Sequence, residues 1–276
     1  MNVRTGSEAT PPAYPGPVDD VGALLLGLRT HEPGRPRITW YGPGGERIEL
    51  SGKVLDNWVA KTAGLLVDEL DAGPGVRVLL DLPPHWRTVT WTLATWLAGA
   101  CAVLPGPAAE DAVIGGPGPD RAADDEADVL VTTDPATAAR RPHLPCALVA
   151  LPALATSFGP GLPDGALDAA ADVRLQGDVF VASAPVDPAQ KALVLLGRAS
   201  TAAVTHRQLL SRARAAAPAS GARVLLAAAA AADPLTSWLP PLCVDGSVVL
   251  HHDLAGLSER ARQDLAAAER VSRPAP

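Results

Sequence analysis

Residues 76–82 read VRVLLDL, a nearly unbroken apolar run, and a second run, ACAVL, follows at residues 100–104. Between them lies a helix-forming stretch from about residue 85 to residue 98, stopped by Gly99. Runs that are apolar on both faces suit strands covered by helices on two sides. Strand, helix and strand within about thirty residues make a βαβ unit, with parallel strands and a right-handed crossover. That unit confines the chain to an α/β fold, because parallel strands need long crossover connections.

The same alternation continues in both directions. Strand-like runs at residues 37–41 and 46–50 flank Gly42, Pro43, Gly44 and Gly45, which predicts a hairpin. Ser51 can cap a helix over residues 53–70, where Val54, Leu55, Trp58, Val59, Leu65, Leu66 and Leu70 recur at steps of three and four. Further strands are predicted at residues 128–132, 146–151, 179–182, 192–196, 223–227 and 247–250. Helices are predicted at residues 205–217, 235–239 and 258–270, and loops at residues 106–127 and 159–177. The expected architecture is α/β and two-lobed, with mainly parallel sheets flanked by helices. Residues 1–18 form a flexible tail, residues 19–175 a first lobe containing the hairpin, and residues 176–276 a second lobe.

With 276 residues, 47% of them hydrophobic, the chain can fill a large core. Its net charge of -7 argues against general affinity for nucleic acid or anionic membrane. Cys101, Cys146 and Cys243 are far apart in apolar sequence, which suits buried thiols in a reducing compartment better than disulfides or zinc. Asp19 and Asp20 precede the apolar run at residues 21–28, unlike a secretory signal. The alanine-rich stretch at residues 222–232 is too short to span a membrane and is broken by Asp233 and Pro234. The cytoplasm is the expected location. Trp58, Trp91 and Trp96 fall on apolar helix faces and read as core.

Several segments together resemble the amino-terminal region of the adenylate-forming superfamily of acyl-CoA synthetases, luciferases and nonribosomal adenylation domains. They are RITWYGPGGERIEL, KVLDNWVAKTAGLLVDEL, GPGVRVLLDLPPHW and TWLAGACAVLP, followed in order by THRQLL, RVLLAAA and WLPPLCVDGSVVL. More narrowly, ERIELS, NWVAK and LPPHW look like a family of short adenylate-forming-like proteins of GC-rich bacteria, truncated and degenerate relative to full ligases. The resemblance implies the superfamily fold without its carboxy-terminal lid, and ATP, AMP or CoA as ligands to consider.

Departures from the superfamily pattern govern the functional expectation. A phosphate loop of Gly, Ser and Thr ending in Lys would precede Thr205, whereas residues 193–204 read LVLLGRASTAAV. Phosphate cradling needs successive backbone N–H groups on a glycine-rich turn plus a cation, and only Gly197 and Arg198 match. The superfamily's adenine-side tyrosine has no counterpart, since the tyrosines are Tyr14 and Tyr41. Autonomous adenylation is therefore not expected. A binding, regulatory or interaction module is, with a small molecule or a protein, a second copy included, as its partner. The alternatives are a ligase-like protein that keeps a nucleotide, acyl or CoA pocket and works with a lid from another chain, and an enzyme with a new site near His85.

The site candidates fall in three groups. Asp81, His85 and Arg87 lie at the carboxyl end of the residue 76–82 strand, the edge where open α/β sheets bind ligands. They could line a small-molecule cleft, or His85 could simply make a local hydrogen bond at a helix start. Lys191, Gly197, Arg198, Thr205 and His206 could gather an anion beside a helix start, or Thr205 could be an ordinary cap and His206 a first-turn residue. His251, His252 and Asp253 are the densest group of metal-ligating side chains, yet they lack a second spaced cluster, so no metal site is expected.

Overall fold

The computed structural model describes residues 20–105, 127–182, 184–196 and 203–272. The proposed tail, most of the loop at residues 106–127, and Gly197 and Arg198 lie outside the described residues. The strands are β1 (Pro36–Tyr41), β2 (Arg47–Ser51), β3 (Arg77–Asp81), β4 (Cys101–Pro105), β5 (Val129–Thr132), β6 (Cys146–Leu148), β7 (Leu167–Asp168), β8 (Lys191–Leu196), β9 (Val204–Thr205), β10 (Arg223–Ala227) and β11 (Ser247–His251). They form two sheets, ordered β7-β6-β5-β3-β4-β8-β9 and β10-β11-β1-β2. Every pairing is parallel except β8 with β9 and β1 with β2.

Sheet membership crosses residue 175 in both directions. The amino-terminal hairpin β1-β2 pairs with β11 near the other end of the chain, and β8-β9 extend the sheet built by β3 to β7. Ile38 to Tyr41 align with Val248 to His251, so the hairpin completes a sheet that β10 and β11 begin.

The helices are α1 (Val21–His31), α2 (Gly52–Leu70), α3 (Trp86–Leu97), α4 (Pro135–Ala139), α5 (Ala169–Asp172), α6 (His206–Ala215), α7 (Leu239–Leu242) and α8 (Glu259–Ala268). Ser51 caps α2 as its sequence predicts, accepting from the backbone of Val54. Gly52 is required there because a Cβ would sit 2.0 Å from the Leu28 carbonyl of α1. Asp20 likewise caps α1, whose apolar run fills core at Leu24, Leu25 and Leu28.

The βαβ unit forms the centre of the molecule. Helix α3 touches β3 and β4 of the larger sheet, β1 of the smaller sheet, and α1 and α2. Buried on nearly every side, α3 contains its polar groups by back-bonding: Thr90, Thr92 and Thr95 donate to the carbonyls of Trp86, Thr88 and Trp91. Trp96 stacks on Trp238 with centroids 5.8 Å apart and donates to the Ala192 carbonyl at 2.7 Å, tying α3 to β8.

Three predicted elements differ. Residues 179–182 pair with no strand; Phe180 turns inward while Val179 and Val181 face solvent. The helix expected at residues 235–239 forms instead at Leu239–Leu242, where Pro240 and Pro241 occupy first-turn positions that need no N–H. The loop expected at residues 159–177 contains β7 and α5, the latter capped by Asp168 through the N–H groups of Ala170 and Ala171. The three cysteines are buried and none is in a disulfide. No helix among the described residues is long and apolar enough to cross a membrane.

Candidate functional site

Asp81 closes β3 opposite Thr132 of β5, and its carboxylate accepts the Thr132 hydroxyl at 3.0 Å. His85 is the cap of α3: its Nδ1 accepts the Arg87 backbone N–H at 3.2 Å while the ring packs 4.6 Å from Trp40. Accepting at Nδ1 places the ring proton on Nε2. Burial, with a smaller contribution from the Arg87 charge, pushes His85 down to about 3, so the ring is neutral throughout the physiological range.

Arg87 turns away from His85. Its guanidinium lies 4.5 Å from the Trp86 ring centre and 5.6 Å from that of Trp58, and donates to the carbonyls of Leu151 and Pro152. Burial lowers it to about 10, which leaves it cationic at neutral pH. The three candidates thus share a sheet edge but spend their polar atoms on separate partners. The cavity beside them, lined by Trp58, Trp86, Arg87 and Trp91, encloses about 10 Å³, room for a single water.

The second group is divided by the β8-β9 hairpin. Thr205 is paired with Lys191 at the amino end of β8, whereas β8 leaves toward Gly197 from Leu196, about 16 Å of strand away. Lys191 and the start of α6 are therefore together, and Leu196 is at the opposite end of the strand. The first N–H groups of α6 are already used: His206 donates to Gln190 O at 3.0 Å, Arg207 to Pro188 O at 3.0 Å, and Gln208 to Thr205 Oγ1 at 3.3 Å. Gln208 Oε1 accepts from the Thr205 backbone in return, completing a capping box. His206 is buried, which lowers its pKa against the opposing pull of the Gly99 and Ala100 carbonyls.

His251 and His252 stack in line with Tyr41, and His251 Nδ1 accepts the Asp253 backbone N–H. Their ring atoms serve the end of β11. A different trio, His31, Glu32 and Asp245, brings ligand atoms within 4.8 Å of one another. Arg37, fully buried, meets Asp245 at 2.7 Å and Arg35 meets it at 3.4 Å, so a metal ion would have to displace two guanidinium groups.

Sequence reasoning missed an opening beside the first group of candidates. Asn57, Trp58, Lys61 and Arg174 line a hollow of about 230 Å³ beside α2. Trp58 is half-buried: it packs against the core, as its spacing suggests, and also forms part of this wall. Lys61 Nζ donates to Gln176 O and pairs with Asp178 at 2.8 Å. Asn57, Trp58 and Lys61 share one face of α2, a spacing the sequence does contain; the contribution of Arg174 depends on a distant segment and has no local signal.

No protein-family model matches the chain. A TIGR03089 family protein of Mycobacterium tuberculosis is 37% identical over 257 residues, covering 90% of this chain and 92% of that protein. Among solved structures, an acyl-CoA synthetase of Brucella canis superposes with a TM-score of 0.67 at 17% identity, covering 92% of this chain and 46% of its own. VinN in complex with L-aspartate gives 0.61 at 18% identity, covering 86% of this chain and 63% of its own. NpsA-ThdA, an artificially fused adenylation-PCP di-domain from Klebsiella oxytoca, gives 0.60 at 14% identity, with 92% and 42% covered. The chain spans about half the length of these structures, and at such identities they establish fold alone. The mostly parallel sheet and its flanking helices match the amino-terminal domains of adenylate-forming enzymes. By its sequence likeness over nine-tenths of its length, the chain belongs to the TIGR03089 family.

Proposed function

We propose that this chain is a binding or regulatory module on an adenylate-forming scaffold, without autonomous adenylation activity. The observation that carries this reading is the sequence of the connection from β8 to β9 with the strand residues on either side of it, LVLLGRASTAAV at residues 193–204. A triphosphate needs several preorganised N–H donors and a cation, and this connection offers one glycine and Arg198. Each missing donor costs roughly a hundredfold to a thousandfold in turnover.

The surroundings support the same reading. The amino end of α6 has its leading N–H groups satisfied by protein oxygens, and Arg87 is committed to two backbone carbonyls. An incoming phosphate would have to displace these contacts rather than fill open donors.

A second reading is favoured by the fold likeness to an acyl-CoA synthetase and to VinN: the chain keeps a nucleotide, acyl or CoA pocket and works with a lid supplied by another chain. Thermal unfolding with millimolar ATP, AMP, CoA or a non-hydrolysable acyl-adenylate analogue separates the two. A ligand at a hundred times its Kd adds about 2.7 kcal/mol, a rise of several degrees in a chain of this size. The first reading expects no rise with any of the four; a saturable rise with one of them would replace it with the second.

A further inference from the structure

Four large aliphatic side chains are strongly exposed, on the two segments that Arg174 and Lys61 tie to the hollow beside α2. Leu154 is 90% exposed, Leu175 82%, Val179 67% and Val181 83%. Arg174 joins the two segments that carry them, donating to Ala155 O at 2.9 Å. Lys61 fastens the second segment to α2 through Gln176 and Asp178. Val54, also exposed, lies one turn before Trp58 on α2. Apolar surface of this kind around a concave centre marks an interaction site.

The centre of the hollow is cationic on a chain whose net charge is -7. Lys61 and Arg174 flank the half-buried Trp58 ring, and the neighbouring Arg87 adds a third positive charge. One carboxylate already occupies part of this floor. Asp178, itself exposed, bonds to Lys61 and Asn57, which lowers its pKa.

From these features we infer that the hollow is a docking site for an acidic protein segment, with one or two large apolar side chains meeting Trp58, Leu175 and Val179. A carboxylate of the partner takes Arg174 and competes with Asp178 for Lys61. The inference rests on the reading of the chain as a binding module, but its test involves no nucleotide, so the two fail separately.

The test pans a displayed library of random twelve-residue peptides on the whole chain and measures the binders by fluorescence polarisation. Expected binders combine Asp or Glu with Leu, Phe or Trp. They should weaken at least tenfold with Arg174→Glu or with Leu175→Ser, and tighten several-fold with Asp178→Ala, which removes the internal competitor. All three positions are exposed, so the melting midpoint should stay at the wild-type value. Basic or uncharged binders, binders indifferent to these changes, or no enrichment at all would overturn the inference. So would binding to phosphatidylglycerol vesicles that Arg174→Glu abolishes, with no peptide selected, because the patch would then serve a lipid surface.

Discussion

Glu269, at the end of α8, is the electrostatic centre of the smaller sheet. Its carboxylate accepts Arg47 Nε from β2 at 3.0 Å, the Tyr41 hydroxyl from β1, and Arg223 from β10. Arg223 also donates to Thr39 of β1 and Ser247 of β11, so all four strands meet at this cluster. Burial pushes the carboxyl up, but the hydrogen bonds from Arg47, Tyr41 and Arg223 outweigh it and hold Glu269 at about 2, against an ordinary value of 4.5. Since the folded value is the lower one, the stabilisation is complete above pH 4.5 and fades as pH falls from 4.5 toward about 2. That difference corresponds to about 3 kcal/mol at most, and solvent reaching the Arg47 side reduces it to about 2. Replacing Glu269 with Gln should therefore lower the melting midpoint at pH 7 by about 3–4 °C. Urea unfolding of both proteins at pH 7, 4.5, 3 and 2.5 checks the cause. The wild type should lose its advantage as the carboxylate protonates, and the gap at pH 2.5 should be about a quarter of that at pH 7. A gap of equal size at pH 7 and pH 2.5 would show that the variant acts through packing, and the charge argument would be wrong.

Two further outcomes follow from the candidate groups. Thr205→Ala removes the cap of α6 and should cost about 1 kcal/mol of stability, while leaving the affinity of any ligand selected on the chain unchanged; a stability-neutral variant with altered binding would restore Thr205 to a site. His85 should remain neutral, with its proton on Nε2, from pH 8 down to about 4.5, because burial holds its folded value near 3. Nitrogen-15 chemical shifts of the labelled imidazole report this directly, and a titration midpoint near the usual 6.5 would contradict the buried cap. As the folded value lies below the unfolded one, His85 also subtracts stability as pH falls below about 6.5.

The sequence carried the local elements wherever spacing and punctuation agreed. The βαβ unit, the hairpin, the caps at Ser51 and Thr205 and the start of the last helix all form within a residue or two of their expected places. Sheet partnership was less legible, because β1 and β11 lie more than two hundred residues apart and no local pattern couples Ile38 to Val248. Residues 179–182 have strand composition but no neighbour to pair with, so propensity alone misreads them. The start of α6 carries the helix cap that the sequence offers at Thr205. Its separation from Leu196 depends on the antiparallel turn of β9, which the two-residue strand Val204–Thr205 is too short to announce. The hollow escaped notice because Trp58 has core spacing on α2, while its partner Arg174 arrives from a segment that reads as loop.

The central claim is that this scaffold does not activate carboxylates on its own, and ATP–pyrophosphate exchange tests it most directly. Purified chain, incubated with ATP, magnesium, labelled pyrophosphate and a panel of aliphatic, aromatic and amino acids, should incorporate no label into ATP above the protein-free blank. Incorporation that depends on one carboxylate and scales with the amount of protein would contradict the account.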